Sequence, residues 1–183
     1  MMKVLFLIGS ESEKKYLKPI ITLFNEKKVI VEFVVFKWKN KTQSDCAQEI
    51  ITKCRGKDLD SFYIFGFSIS ALIAILVASK TKVKGLILTS PTPLFSDTIF
   101  PKRITKYLGK KRIAVAKSTK IIDLKLNTNK IFLFIGEHED NEILKQSKAL
   151  AITENKINLK IVKNTGHSFS TPEMITALRK IIA

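Results

Sequence analysis

Six short runs of the sequence, at residues 3–8, 29–37, 61–65, 85–89, 130–135 and 159–163, are rich in β-branched and aromatic residues and apolar nearly throughout. A strand with one wet face alternates apolar and polar positions, whereas an unbroken apolar run suits a strand covered on both faces, as in a parallel sheet flanked by helices. Between these runs lie helix-like stretches at about 18–27, 43–55, 69–80, 101–118, 141–154 and 171–182. Thr171-Pro172-Glu173 supplies an N-cap and a first-turn proline for the last of them. Strict alternation of strand and helix predicts a single α/β domain over residues 1–183, a six-stranded, doubly wound parallel sheet between two helical layers. In such sheets ligands bind beyond the carboxyl ends of the strands. The residues that follow each strand are therefore the ones to search.

Composition adds limits. Hydrophobic residues make up 45% of the chain, enough for a continuous core. The longest strictly apolar run, residues 71–78, is far short of the roughly 20 residues that span a bilayer, so no membrane span is expected. The opening Met1–Gly9 has the look of a short signal segment, but Ser10-Glu11-Ser12-Glu13 follows where a small-residue cleavage site would stand, and the segment reads as a first strand. Cys46 and Cys54 stand eight apart in one expected helix, neither a disulfide framework nor a metal spacing, which points to a reducing cytoplasm. The net charge of +16 invites an anionic partner. Yet 28 of the 32 basic residues are lysine and only four are arginine, the residue whose bidentate fork suits phosphates and bases, so nucleic acid is not the expected partner.

The candidate chemistry gathers at three strand ends. In Tyr63-Ile64-Phe65-Gly66-Phe67-Ser68-Ile69-Ser70-Ala71 an apolar strand runs into a serine and then into an apolar helix, with small residues two positions on either side. That is a nucleophile-elbow arrangement, close to G-x-S-x-G with Ser70 at the second glycine. The plain alternative for Ser68 is an ordinary N-cap in a βα loop. After the last strand comes Asn164-Thr165-Gly166-His167-Ser168-Phe169, holding one of only two histidines. After the fifth comes the acidic loop Gly136-Glu137-His138-Glu139-Asp140-Asn141. A serine hydroxyl is a poor nucleophile until an imidazole accepts its proton, and the imidazole needs a carboxylate to hold its tautomer and balance its charge. Serine, acid and histidine follow one another in the chain order that such a triad takes in α/β hydrolases. Asp140 is the preferred acid, because aspartate is the commoner choice and Ile143 begins the buried face of the next helix. Glu139 is the alternative. Nothing else forms a metal cluster or a phosphate-binding glycine loop, and no cofactor is implied.

On these residues the chain resembles a minimal α/β hydrolase, of the small esterase and dienelactone-hydrolase-like kind, in which a Gly-His-Ser-Phe segment carries the histidine. The resemblance implies strand order 2-1-3-4-5-6 and a Ser68–Asp140–His167 triad that cleaves a small ester or thioester. It also implies an oxyanion hole formed by the backbone N–H of Ile69 and one from the loop after the first strand, where Ser10 is the candidate donor. Ser10-Glu11-Ser12-Glu13 reads equally as a helix capping box. Residues 91–129 stand where this family inserts lids and are expected to form a short cap-like excursion. Ten basic residues against one acid in 102–130 would favour an anionic ester if they rim the site, and otherwise form a solvated lysine-rich face. Asp97 is a further acid candidate. A non-catalytic binding protein on the same fold is the competing expectation. The opening Val4–Ser12 is also similar to that of the carboxyaminoimidazole ribonucleotide mutases, whose later glycine-rich segment is absent.

Overall fold

The computed structural model describes residues 1–9, 17–91, 109–118, 125–153 and 155–182. Six strands alternate with helices: β1 (Lys3–Ile8), α1 (Lys18–Glu26), β2 (Ile30–Val35), α2 (Gln43–Lys53), β3 (Tyr63–Phe67), α3 (Ile69–Lys80), β4 (Gly85–Thr89), α4 (Lys110–Ser118), β5 (Ile131–Gly136), α5 (Asn141–Thr153), β6 (Ile157–Val162) and α6 (Pro172–Arg179). Every strand pair is parallel, and the sheet runs β2-β1-β3-β4-β5-β6, the order expected.

Burial on both faces explains the unbroken apolar runs. Successive strand side chains point to opposite faces. In β1, Leu5 and Leu7 pack on one side with Ile50 of α2, Ala74 of α3 and Leu150 of α5, while Val4, Phe6 and Ile8 pack on the other with Phe24 of α1 and Leu178 of α6. Helix α3 lies in the middle of the first layer, so residues 70–78 are all buried and it is apolar on every side. Surface helices need caps as well as a stripe. Thr42 and Asp45 form a reciprocal capping box on α2, and Thr171 Oγ1 accepts the Met174 N–H at 3.3 Å to start α6.

The element ends shift in ways that bear on the site. Residues Leu59–Ser61 form a 3₁₀ turn, and β3 instead extends to Phe67, where Gly66 pairs with Leu88 and Phe67 with Thr89. This carries the strand right up to Ser68. Strand β6 starts two residues earlier than expected because Ile157 pairs with Ile131; it is an edge strand with half-exposed positions, so its apolar pattern is weak. The helix expected at 101–118 is described from Lys110, after Gly109 at φ +76°; residues 92–108 and 119–124, most of the expected cap, lie outside the described residues.

Candidate active site

The turn from β3 into α3 is built by local sterics. Ser68 sits at φ 53°, ψ −119°, a conformation L-residues rarely adopt. A Cβ on Gly66 would lie 2.5 Å from the Ser70 carbonyl oxygen and 2.6 Å from the Ala71 Cα, so only glycine fits there. Ser70 does more than stay small. Its Oγ accepts the Phe67 N–H at 2.9 Å and donates to the Phe67 carbonyl at 2.8 Å, stapling the turn across the strained serine. The Ser68 N–H is anchored to the Thr89 carbonyl of β4 at 3.0 Å.

The opposite wall comes from the ends of β5 and β6. Gly136 lets the two loops touch: a Cβ there would come within 2.3 Å of the Thr165 carbonyl oxygen and 2.4 Å of that of Gly166. The Glu137 N–H bonds Val162 O at 2.8 Å, His138 N–H bonds Thr165 O at 2.9 Å, and the Glu139 N–H turns back to Gly136 O at 3.2 Å. This tight turn swings Glu139 inward, with its side chain only 3% exposed, while Glu137 and His138 face solvent.

The result is a continuous polar line. His167 Nε2 lies 3.0 Å from Ser68 Oγ, and His167 Nδ1 lies 3.0 and 2.9 Å from the two carboxylate oxygens of Glu139. An ionised carboxylate only accepts, so Nδ1 carries the proton and Nε2 keeps the lone pair that can accept from Ser68. The Phe67 ring stands 5.0 Å from the imidazole and is itself backed by Phe169 at 4.7 Å. Burial works against ionisation of Glu139. The hydrogen bond from His167, with its charge when the ring is protonated, outweighs it, aided by the Ser90 hydroxyl and the Asp140 N–H, and holds the carboxyl below its ordinary value. Ser90 is fully buried at φ 42° at the end of β4, close enough to favour the carboxylate, although among the described residues its Oγ reaches no partner within hydrogen-bonding distance.

Asp140, preferred as the acid, does not occupy this place. Its Oδ1 accepts the Glu142 N–H at 3.0 Å at the start of α5, as an aspartate at a helix N-cap does, and the carboxylate beside His167 is that of Glu139. Ile69 is the first residue of α3, so its N–H has no acceptor within the helix. Ser10 and Asp97 lie outside the described residues; Gly9, next to Ser10, borders the site. Cys46 is no rival nucleophile, because burial pushes its thiol up to about 11. Among the described residues no three His, Cys, Asp or Glu side chains gather as a metal site would, and no helix is long and apolar enough to cross a membrane.

Ser68 and His167 open onto a cavity of about 630 Å³ at the carboxyl ends of the strands. Phe36, Trp38, Phe67, Phe169 and Leu17 are among the residues that line it. Two features here escaped sequence reasoning. The Ser70 staple is foreshadowed only by the size requirement, and the Trp38 wall has no local signal, because what fixes it lies in α4.

No protein-family model and no curated protein matches this sequence. The fold does match solved structures. Est1E from Butyrivibrio proteoclasticus superposes with a TM-score of 0.73 at 16% identity, over 99% of this chain and 85% of that one. The carboxylesterase CesB from Bacillus subtilis gives 0.72 at 17% identity, over 99% and 82%. The α/β hydrolase domain-containing protein 10 from mouse gives 0.73 at 11% identity, over 98% and 87%. The protein has the α/β-hydrolase fold. Within that class it is similar to proteins described as hydrolases and carboxylesterases.

Proposed function

We propose that the protein is a serine hydrolase that cleaves a small carboxylic ester or thioester, with Ser68 as nucleophile, His167 as general base and Glu139 as the acid of the triad. The observation that carries this reading is the unbroken line Ser68 Oγ–His167 Nε2, His167 Nδ1–Glu139, with all three contacts at or below 3.0 Å, at the mouth of an apolar cavity. The substrate carbonyl carbon accepts the Ser68 Oγ lone pair while the hydroxyl proton passes to His167 Nε2. Glu139 stabilises the imidazolium that forms and keeps the ring from turning. The oxyanion of the tetrahedral intermediate faces the start of α3, where the Ile69 N–H and the helix dipole favour negative charge. Collapse breaks the bond to the alcohol or thiol, which leaves with the proton from His167. Water then repeats the sequence on the acyl-Ser68 intermediate and returns the free acid and the serine.

The fold neighbours add support in kind: CesB is described as a carboxylesterase, and Est1E has been seen with ferulic acid bound. The two buried, unpaired cysteines suit the reducing cytoplasm in which we place the protein. Treatment with a fluorophosphonate, followed by mass spectrometry of the labelled peptide, tests the reading. Labelling at Ser68 that vanishes in Ser68→Ala is expected. No labelling of the wild type would favour a binding protein on a hydrolase fold.

A further inference from the structure

The protein carries a net charge of +16, yet among the described residues lining the cavity none is Asp, Glu, Lys or Arg. A cationic residue beside Trp38 is turned to another use. Arg112 of α4 lies over the Trp38 ring, its guanidinium carbon 4.1 Å from the ring centroid. Its Nε donates to the Lys41 carbonyl at 2.8 Å, and a terminal nitrogen donates to the Trp38 carbonyl. Gln43 Nε2 in turn donates to the Arg112 carbonyl at 3.1 Å, tying the start of α2 to α4. Phe36 meets Trp38 edge-on at 6.3 Å. The indole is therefore held by a stacked cation, by a neighbouring ring and by clamps on its own strap, while Arg112 is not itself among the residues lining the cavity. A cation stacked on an indole is attracted by the ring's negative face, and Arg's planar fork serves both stacking and paired donation in a way Lys cannot.

We propose that Trp38 is the specificity-determining wall of this site, that it receives an uncharged apolar acyl group of the ester, and that Arg112 is the positioning residue that fixes its plane. This rests on the hydrolase reading for turnover, but not for binding. An anionic ester would have to leave its water shell for a wall whose described residues offer no counter-charge, whereas an apolar group gains by leaving water.

Trp38 is the sole tryptophan of the chain, so its fluorescence reports on this wall alone. In the Ser68→Ala protein, ethyl hexanoate should shift the emission saturably, and monoethyl adipate, of similar length but ending in a carboxylate, should bind at least about tenfold more weakly. In turnover, Trp38→Ala should lower kcat/KM on p-nitrophenyl hexanoate about tenfold or more and leave p-nitrophenyl acetate within about threefold, since a two-carbon acyl group offers little apolar surface for a wall to meet. Trp38→Phe keeps a ring and should fall between. Arg112→Lys keeps the charge but loses the fork, and should cut the hexanoate-over-acetate preference and alter Trp38 emission. Adipate binding as tightly as hexanoate, or equal losses on acetate and hexanoate, would overturn the proposal. So would a Ser68 that reacts with fluorophosphonate in a protein showing no saturable emission shift, leaving the hydrolase reading intact. A saturable shift without labelling would overturn the hydrolase reading and keep the wall. An Arg112→Lys variant with unchanged preference and emission would remove Arg112 from the account.

Discussion

The serine turn and the acid turn stand at the ends of neighbouring parts of one sheet, and they are held in opposite ways. The turn at Gly66–Ser70 is self-contained: its strain, its glycine and its Ser70 staple lie within five consecutive residues, with one added anchor on Thr89. The turn at Gly136–Asp140 takes its shape from elsewhere. It depends on the β6 loop, where Val162 and Thr165 accept its N–H groups, and the contact of its Glu139 with His167 spans 28 residues. A self-contained turn is a sequence motif; a borrowed one becomes readable only when two loops meet.

The sharpest way to test that contrast is to remove one atom group at a time from each side. The largest losses belong to Ser68→Ala and His167→Ala, each expected to lower ester turnover by about three orders of magnitude or more, because each abolishes the attack itself. Purified protein with a p-nitrophenyl ester measures it; residual turnover near wild type in either variant would move the chemistry away from this pair. On the borrowed side, Glu139→Gln is expected to cost about two to four orders of magnitude, since an amide can no longer fix the imidazole tautomer or balance its charge. Asp140→Asn should stay within a few-fold, because asparagine caps a helix about as well as aspartate. The reverse pattern would return the role to Asp140.

The same contrast explains what could be read in advance. The parallel sheet covered on both faces follows from strands such as Leu5–Phe6–Leu7 and Ile64–Phe65, whose neighbouring residues serve two different buried faces and therefore cannot alternate in polarity, whereas the strand order came with the resemblance to α/β hydrolases. Ser68 and His167 could be singled out because Ser68 directly follows the apolar run of β3 and His167 is one of only two histidines, in the loop after the last strand. The choice between Glu139 and Asp140 was not open to such reading, because both are acidic, adjacent and just ahead of a helix start. What decides it is the close approach of Gly136 to the Thr165–Gly166 carbonyls, a contact between separate strands. The clamp of Arg112 on Trp38 joins residues 74 apart and leaves no local periodicity at all.

Smaller effects probe the self-contained side. Gly66→Ala puts a methyl group against backbone that cannot swing away, and should destabilise the fold by about 1–3 kcal/mol or more, read from chemical unfolding. Ser70→Ala removes the staple while keeping the size, and should cost about 0.5–1.5 kcal/mol with a smaller drop in turnover than any triad variant. If Ser70→Ala is neutral in both, size alone governs that position and the turn is held by Gly66 and the α3 packing.

The smallest expected effect is a pH dependence of stability that separates Glu139 from its amide. The Glu139 carboxyl lies below its ordinary value near 4.5 in the folded protein, with burial opposed and outweighed by the His167 contact. A carboxyl depressed on folding contributes stability that is fully present above its unfolded value and disappears as pH falls through the folded one. Glu139→Gln does not titrate there. The difference in unfolding temperature between the wild type and Glu139→Gln should therefore be steady from neutral pH down to about 5 and shift against the wild type on further acidification. Thermal unfolding by circular dichroism at half-unit intervals from pH 6 to 3 follows it. A difference that stays constant, or moves in favour of the wild type as acid is added, would mean that His167 does not hold the carboxylate in its charged form. The short Glu139–His167 contact would then be a matter of packing rather than of charge.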